Sequence, residues 1–185
     1  MKTKPKRKPS SCHIATLFAA ATEWLRYVQR CRMVCWERTP FSYAARSRPD
    51  VIGVTRASKV IEVEVKVTVA DFRANALKRG IVDRQRGYAL DYPERFYFIV
   101  TPDMVDKIAG EVPEYAGLLT VEKASQWSGV PEVTVVKRAV IDHRAKVLTR
   151  YQMGRMLMHQ TGTLVRLASL LSRVGPEDVT HDWMI

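Results

Sequence analysis

Cysteine is scarce in this 185-residue chain, which has only Cys12, Cys31 and Cys35. An odd number of cysteines without a secretion signal argues against a disulfide framework. Cys31-x-x-x-Cys35, with His13 nearby, has the outline of a zinc corner. No second ligand pair follows and Cys35 lies in an apolar run, so structural cysteines are expected. His13, His143, His159 and His181 are too scattered for a histidine mechanism. The sequence also lacks a glycine-rich phosphate loop, so an ATP-driven enzyme is not supported. No apolar run approaches the roughly 20 residues that a membrane-spanning helix needs. The basic start leads into Ile14 to Ala21 and then Glu23, Arg26 and Arg30, an amphipathic pattern rather than a signal peptide. No membrane partner is expected, and the expected location is cytoplasmic.

Acidic residues are outnumbered, with 19 Asp and Glu against 30 Lys and Arg and a formal charge of +11. Lys2, Lys4, Lys6, Arg7 and Lys8 put five of those charges in residues 1–10, a basic arm expected to be disordered. Excess positive charge favours polyanions by counterion release, without implying sequence preference. A hydrophobic content of 46% and a charged content of 26% are those of an ordinary soluble globule. The length suits one domain with a sizeable core.

Periodicity lays out the elements. Ser11 is a plausible N-cap for a helix to about Arg30, with Ile14, Leu17, Phe18, Ala21, Leu25 and Val28 at helical spacing. Met33 to Glu37 reads as a first strand, and Pro40 to Ser47 as a polar connection. Pro49 holds Arg48 extended before a second strand that opens at Asp50. Arg56 to Lys59 is a turn, and Val60 to Thr68 a central strand. Val69 to Gly80 reads as a helix ended by its glycine, with a short helical stretch at Tyr88 to Tyr92. Arg95 to Val100 is a buried strand, and Pro102 to Ala109 a short helix with proline in its first turn. Leu118 to Val121 and Val133 to Val140 read as further strands, the second at an edge. Arg144 to Ser172 is a long helix, bent near Gly162, with Val147, Leu148, Tyr151, Leu157, Leu164, Leu167 and Leu171 on its apolar side. Its face suits docking on the sheet or a homodimer contact. The expected domain covers 11–142, with a helical extension over 143–185.

Asp50, Glu64 and Lys66 stand out from this plan. In Val60-Ile61-Glu62-Val63-Glu64-Val65-Lys66-Val67 the β-branched residues alternate with the charges. A strand repeats every two residues, so the three charges share one face while Ile61, Val63 and Val65 enter the core. Two carboxylates from neighbouring strands, with an ammonium two residues on, suit a hard divalent cation and an activated water. Glu62 lies on the same face about 7 Å along. Arg73 and Lys78, on one helix, are candidates for phosphate contact, and so are Arg84 and Arg86 in the basic stretch that follows. Tyr88 and Tyr92 are the aromatic candidates for stacking on nucleic acid. Trp24, Trp36 and Phe96 to Phe98 fit the core or the sheet.

In these residues the chain resembles the PD-(D/E)xK nuclease superfamily, written here as Pro49-Asp50, thirteen residues, then Glu64-Val65-Lys66. The similarity is closest to the MmcB-like, DNA-repair-associated branch and covers roughly residues 11 to 122. It is carried by Arg48-Pro49-Asp50, Glu62-Val63-Glu64-Val65-Lys66, Ala70-Asp71-Phe72-Arg73-Ala74-Asn75, Asp91-Tyr92-Pro93-Glu94-Arg95-Phe96-Tyr97-Phe98 and Gly117-Leu118-Leu119. The resemblance implies an α/β, restriction-endonuclease-like αβββαβ core with a mixed central sheet flanked by helices. It also implies that Asp50, Glu64 and the carbonyl of Val65 ligate Mg²⁺ or Mn²⁺, that Lys66 orients the attacking water, and that Glu37 is an accessory acid. Arg48, Arg73, Lys78, Arg84 and Arg86 would meet the DNA. The implied activity is a Mg²⁺-dependent deoxyribonuclease, with endonucleolytic action the first expectation. A Holliday-junction-resolvase-like enzyme acting as a homodimer and an inactive nuclease-fold DNA-binding protein are the alternatives. A basic nucleic-acid or ribosome adaptor would leave the three charges unexplained.

Overall fold

The computed structural model describes residues 11–37, 49–75, 93–124 and 131–171. Helix α1 (Ser11–Glu23) continues into one π-helical turn, Trp24–Val28. Strands β1 (Met33–Trp36), β2 (Val51–Val54) and β3 (Val60–Lys66) follow, then helix α2 (Val69–Asn75). Strand β4 (Arg95–Val100) leads into α3 (Pro102–Ile108) and a 3₁₀ turn, Ala109–Glu111. Strands β5 (Ala116–Ala124) and β6 (Pro131–Lys137) precede the long helix α4 (Arg150–Leu171). The expected arm over 1–10, the connection at Pro40 to Ser47, the stretch Tyr88 to Tyr92 and the helix end at Gly80 lie outside the described residues.

The fold is mixed α/β, with a six-stranded sheet in the order β1-β2-β3-β4-β5-β6. β1, β2 and β3 form an antiparallel meander, β3, β4 and β5 run parallel, and β6 returns antiparallel at the edge. β3 is therefore the strand at which the pairing switches, with partners on both sides. No helix among the described residues is long and apolar enough to cross a membrane.

Alternation along β3 sends its side chains to two different environments. Ile61, Val63 and Val65 join Val51, Tyr97 and Ile99 beneath Leu17, Ala21, Trp24 and Leu25 of the first helix. The opposite face carries two separate apolar clusters. In one, Phe72, Met104 and Ile108 cover Phe96, Phe98 and Val100. In the other, Leu148 and Met156 cover Cys35, Ile52, Val54 and Val60. Glu62, Glu64 and Lys66 share that face, for Glu62 pairs with Ile52 on one side and Phe96 on the other. The charges of β3 thus occupy the seam between two helix-covered patches.

Three expectations need correction. The first helix does not stay regular to Arg30: it widens to a π-turn at Trp24, and Ile14 and Val28 are exposed. The last helix starts at Arg150 rather than Arg144 and runs through Gly162 without a break. Thr149 sets that start with a reciprocal capping box. Its Oγ1 accepts the Gln152 N–H at 3.2 Å, and Gln152 Oε1 accepts the Thr149 N–H at 2.8 Å. The apolar side also differs: Leu148 and Met156 are buried, whereas Val147, Tyr151, Leu157 and Leu164 are exposed. The Leu148 N–H donates to the Ser58 carbonyl at 2.8 Å, which pins the chain to the β2–β3 turn before the helix begins. That anchor decides which face docks.

Gly53 permits the close approach of β2 to the corner after the π-turn. A Cβ there would stand 2.6 Å from Cys31 Sγ and 2.9 Å from a Leu25 methyl. Gly53→Ala is expected to cost about 1–3 kcal/mol through overpacking. Pairing it with Cys31→Ala should recover part of the loss. Denaturant unfolding of the single and double variants measures both effects.

Candidate functional site

Asp50 immediately precedes β2, and the pairing of Val51 with Val63 puts position 50 across from Glu64. Alternation then points Asp50 to the same face as Ile52, the face of Glu64 and Lys66. Two contacts fix it there. The Val65 N–H donates to Asp50 Oδ2 at 2.7 Å, so a side chain continues the β-ladder where the β2 backbone leaves it. The Glu37 N–H donates to the Asp50 carbonyl at 3.0 Å, tying the end of β1 to the same point. The N–H and C=O of one strand residue face the same neighbour, so the Val65 carbonyl also faces the Asp50 side.

Glu64 and Lys66 are 3% and 4% exposed, and they are the buried ionisable acid and base among the described residues. Burying a charge without a partner is strongly unfavourable. Glu64 meets that problem by hydrogen bonding to the Asp50 carboxylate. Such a bond between two carboxyl groups needs one proton between them. Burial first, then that bond and the charge of Asp50, push the Glu64 carboxyl from 4.5 up to about 8; Lys66 acts in the opposite direction and Glu62 reinforces the rise.

Lys66 Nζ lies 3.7 Å from Asp71 Oδ2. Asp71 stands in the first turn of α2, where Thr68 caps the helix: Thr68 Oγ1 accepts the Asp71 N–H at 3.1 Å. In the sequence Asp71 reads as a helix N-terminal acid that favours the macrodipole. Its signal was the capping pattern Thr68-x-x-Asp71, which turns the chain so that the carboxylate comes back over Lys66.

The remaining candidates are placed less centrally. Glu37 reaches the site through its backbone, at a φ of 49°, and its carboxylate is exposed with no hydrogen bond or ion pair among the described residues. Arg73 is engaged in a two-pronged ion pair with Glu111, Nε to Oε2 at 2.8 Å and Nη2 to Oε1 at 2.5 Å. That fork joins α2 to the turn after α3. Arg48, Lys78, Arg84 and Arg86 lie outside the described residues. Cys31 and Cys35 are buried and free, and desolvation pushes both thiols up to about 11, which makes neither a nucleophile near neutral pH.

No group of three or more His, Cys, Asp and Glu side chains among the described residues is disposed to hold a metal ion. The donor set at the seam is smaller: two carboxylates and the carbonyl of Val65. Magnesium is commonly held by one or two carboxylates, with waters and substrate phosphate completing its octahedron, so this donor chemistry fits that ion. A cation would also take the place of the proton that Asp50 and Glu64 share.

No family model matches the chain, and no curated protein matches it. The SPO1766 protein of unknown function from Silicibacter pomeroyi is similar in structure, with a TM-score of 0.52 and 18% sequence identity. The match covers 96% of this chain and 99% of that one. At this identity the likeness concerns the fold alone.

The raised Glu64 carboxyl makes stability depend on pH. The unfolded chain releases that proton near 4.5 and the folded protein near 8. The contribution is complete below the lower value and is lost as pH rises through the upper one. Glu64→Gln keeps the shape and cannot ionise, so its melting temperature relative to the parent should climb by at least about 4 °C between acidic and mildly alkaline pH. Thermal denaturation across that range in metal-free buffer measures the difference.

Proposed function

We propose that the protein is a metal-dependent deoxyribonuclease that hydrolyses phosphodiester bonds with an activated water. The single observation behind this reading is the buried seam itself, in which Asp50 and Glu64 hydrogen-bond on one sheet face with Lys66 two residues further along β3. The sequence resemblance to PD-(D/E)xK nucleases supplies the reaction and the choice of DNA. The restriction-endonuclease-like reading of the mixed sheet belongs to the same proposal.

Asp50, Glu64 and the Val65 carbonyl would hold Mg²⁺ or Mn²⁺. When bound, the ion supplies Lewis-acid polarisation of a phosphoryl oxygen and lowers the pKa of a coordinated water. Asp50 and Glu64 would give up their shared proton on holding the ion. Lys66 brings one fixed positive charge into a largely dry site, where it counters charge developing on the phosphate and orients the attacking water. Asp71 restrains that ammonium from the solvent side. The walls of the seam, Ile52 on one side and Phe96 and Phe98 on the other, exclude bulk water and strengthen these electrostatic contacts.

Purified protein is expected to nick or degrade DNA in Mg²⁺ or Mn²⁺. Asp50→Ala or Lys66→Ala should lower the rate at least about 100-fold while DNA binding persists. A panel of linear, nicked, flapped, branched and single-stranded substrates tests this. Failure to cut any of them in either metal would favour a binding protein without turnover. Independently of cutting, Mg²⁺ at neutral pH is expected to raise the melting temperature of the parent and not that of Asp50→Asn, because the ion binds the folded state alone.

A further inference from the structure

The end of the sheet away from the acidic seam concentrates positive charge. Four connecting segments meet there: the turn before β1, the β2–β3 turn, the approach to β4, and the stretch leading into α4. Hydrogen bonds join them. The Arg32 N–H donates to the Val54 carbonyl at 2.9 Å, and the Leu148 N–H to the Ser58 carbonyl at 2.8 Å. The Asp142 N–H donates to the Glu94 carbonyl at 2.8 Å, and Arg95 Nη1 donates to Gln29 Oε1 at 3.1 Å. These segments carry Arg26, Arg30, Arg32, Arg56, Lys146 and Arg150, all of them exposed.

The carboxylates at this end are already engaged. Glu94 pairs with Lys59 at 3.2 Å and lies 3.9 Å from Arg95. Asp142 pairs with Arg144 at 3.3 Å. No carboxylate among the described residues lies within ion-pair distance of Arg26, Arg30, Arg32, Arg56 or Arg150. Several of these arginines are also pre-positioned. Arg26 Nη1 donates to the Arg32 carbonyl at 2.8 Å, and the Arg32 guanidinium meets Ser58 Oγ and Met153 Sδ. Arg30 is held at a φ of 52°. Tyr27, between Arg26 and Arg30, is 73% exposed, and Tyr151 beside Arg150 is equally so.

We infer that this basic end is a second contact surface for nucleic acid, remote from the acidic seam, that grips the phosphodiester backbone. Guanidinium groups match phosphate oxygens in a planar fork, and their predominance over lysine here suits that partner. Exposed tyrosines among arginines add stacking surfaces. Along β3 the two ends of the sheet are separated by about 20 Å, the rise of six strand residues. A duplex covers that distance in about six base pairs. The surface contains none of the residues assigned above to hydrolysis, and the inference stands whether or not the seam cuts DNA.

Binding of a duplex of about 30 base pairs, followed by fluorescence anisotropy in EDTA over a range of salt concentrations, tests the inference without catalysis. The triple variant Arg30→Gln, Arg56→Gln, Arg150→Gln is expected to bind at least about tenfold more weakly. Its log–log salt slope should be shallower by roughly 2.7, three phosphate contacts at about 0.9 each. Its melting curve should match the parent's, since the three side chains are exposed and make no ion pair among the described residues. Unchanged affinity and slope in the triple variant would overturn the inference. So would tighter binding to vesicles containing anionic phospholipid than to the duplex, with the same three arginines responsible, because the surface would then face a membrane.

Discussion

A buried carboxyl group in contact with a second, half-buried one across neighbouring strands calls for a proton or a cation between them. In this protein the contact between Asp50 and Glu64 imposes that condition on the middle of the sheet. The surrounding elements can be understood from it. The Val65 amide holds one partner in place and β4 supports the strand of the other, while α1 fills the opposite face with aliphatic side chains. The two apolar clusters on the charged face stop short of each other, leaving a strip whose groups must satisfy one another. Lys66 closes that strip and Asp71 lies at its outer limit.

The sequence disclosed this strip because β-periodicity is a short-range property. Alternation of Ile61, Val63 and Val65 with Glu62, Glu64 and Lys66 needs only local backbone geometry to be legible. The same holds for the strand at Arg95 to Val100 and the proline-started helix that follows. Features that depend on distant partners were less accessible. Nothing near Met153 and Met156 announces that they, rather than Leu157 and Leu164, will face the sheet, because the choice is made by the anchor of Leu148 on Ser58. The Thr149-x-x-Gln152 box was available as a start signal, but a competing apolar rhythm from Val147 obscured it. Arg73 read as a candidate for phosphate contact because its partner, Glu111, is 38 residues away in sequence.

The sheet is electrically polar along its strands. One end gathers carboxylates in a buried seam, and the other gathers guanidinium groups on an exposed rim. A formal charge of +11 would by itself suggest a diffuse attraction to polyanions. Among the described residues the fold sorts charge instead, placing cations on connecting turns where backbone carbonyls and neighbouring side chains steady them. Exposed cations and a water-excluding acidic strip thereby stand at opposite ends of the same strands.

The bond from the Val65 amide to Asp50 has a practical corollary. That amide proton sits within one covalent residue of Glu64 and Lys66 yet points at the group across the seam. Its chemical shift and its exchange with deuterated solvent therefore report the ionic state and occupancy of the pocket from inside the backbone. One resonance in a nitrogen–proton spectrum would act as an intrinsic gauge of what the seam contains.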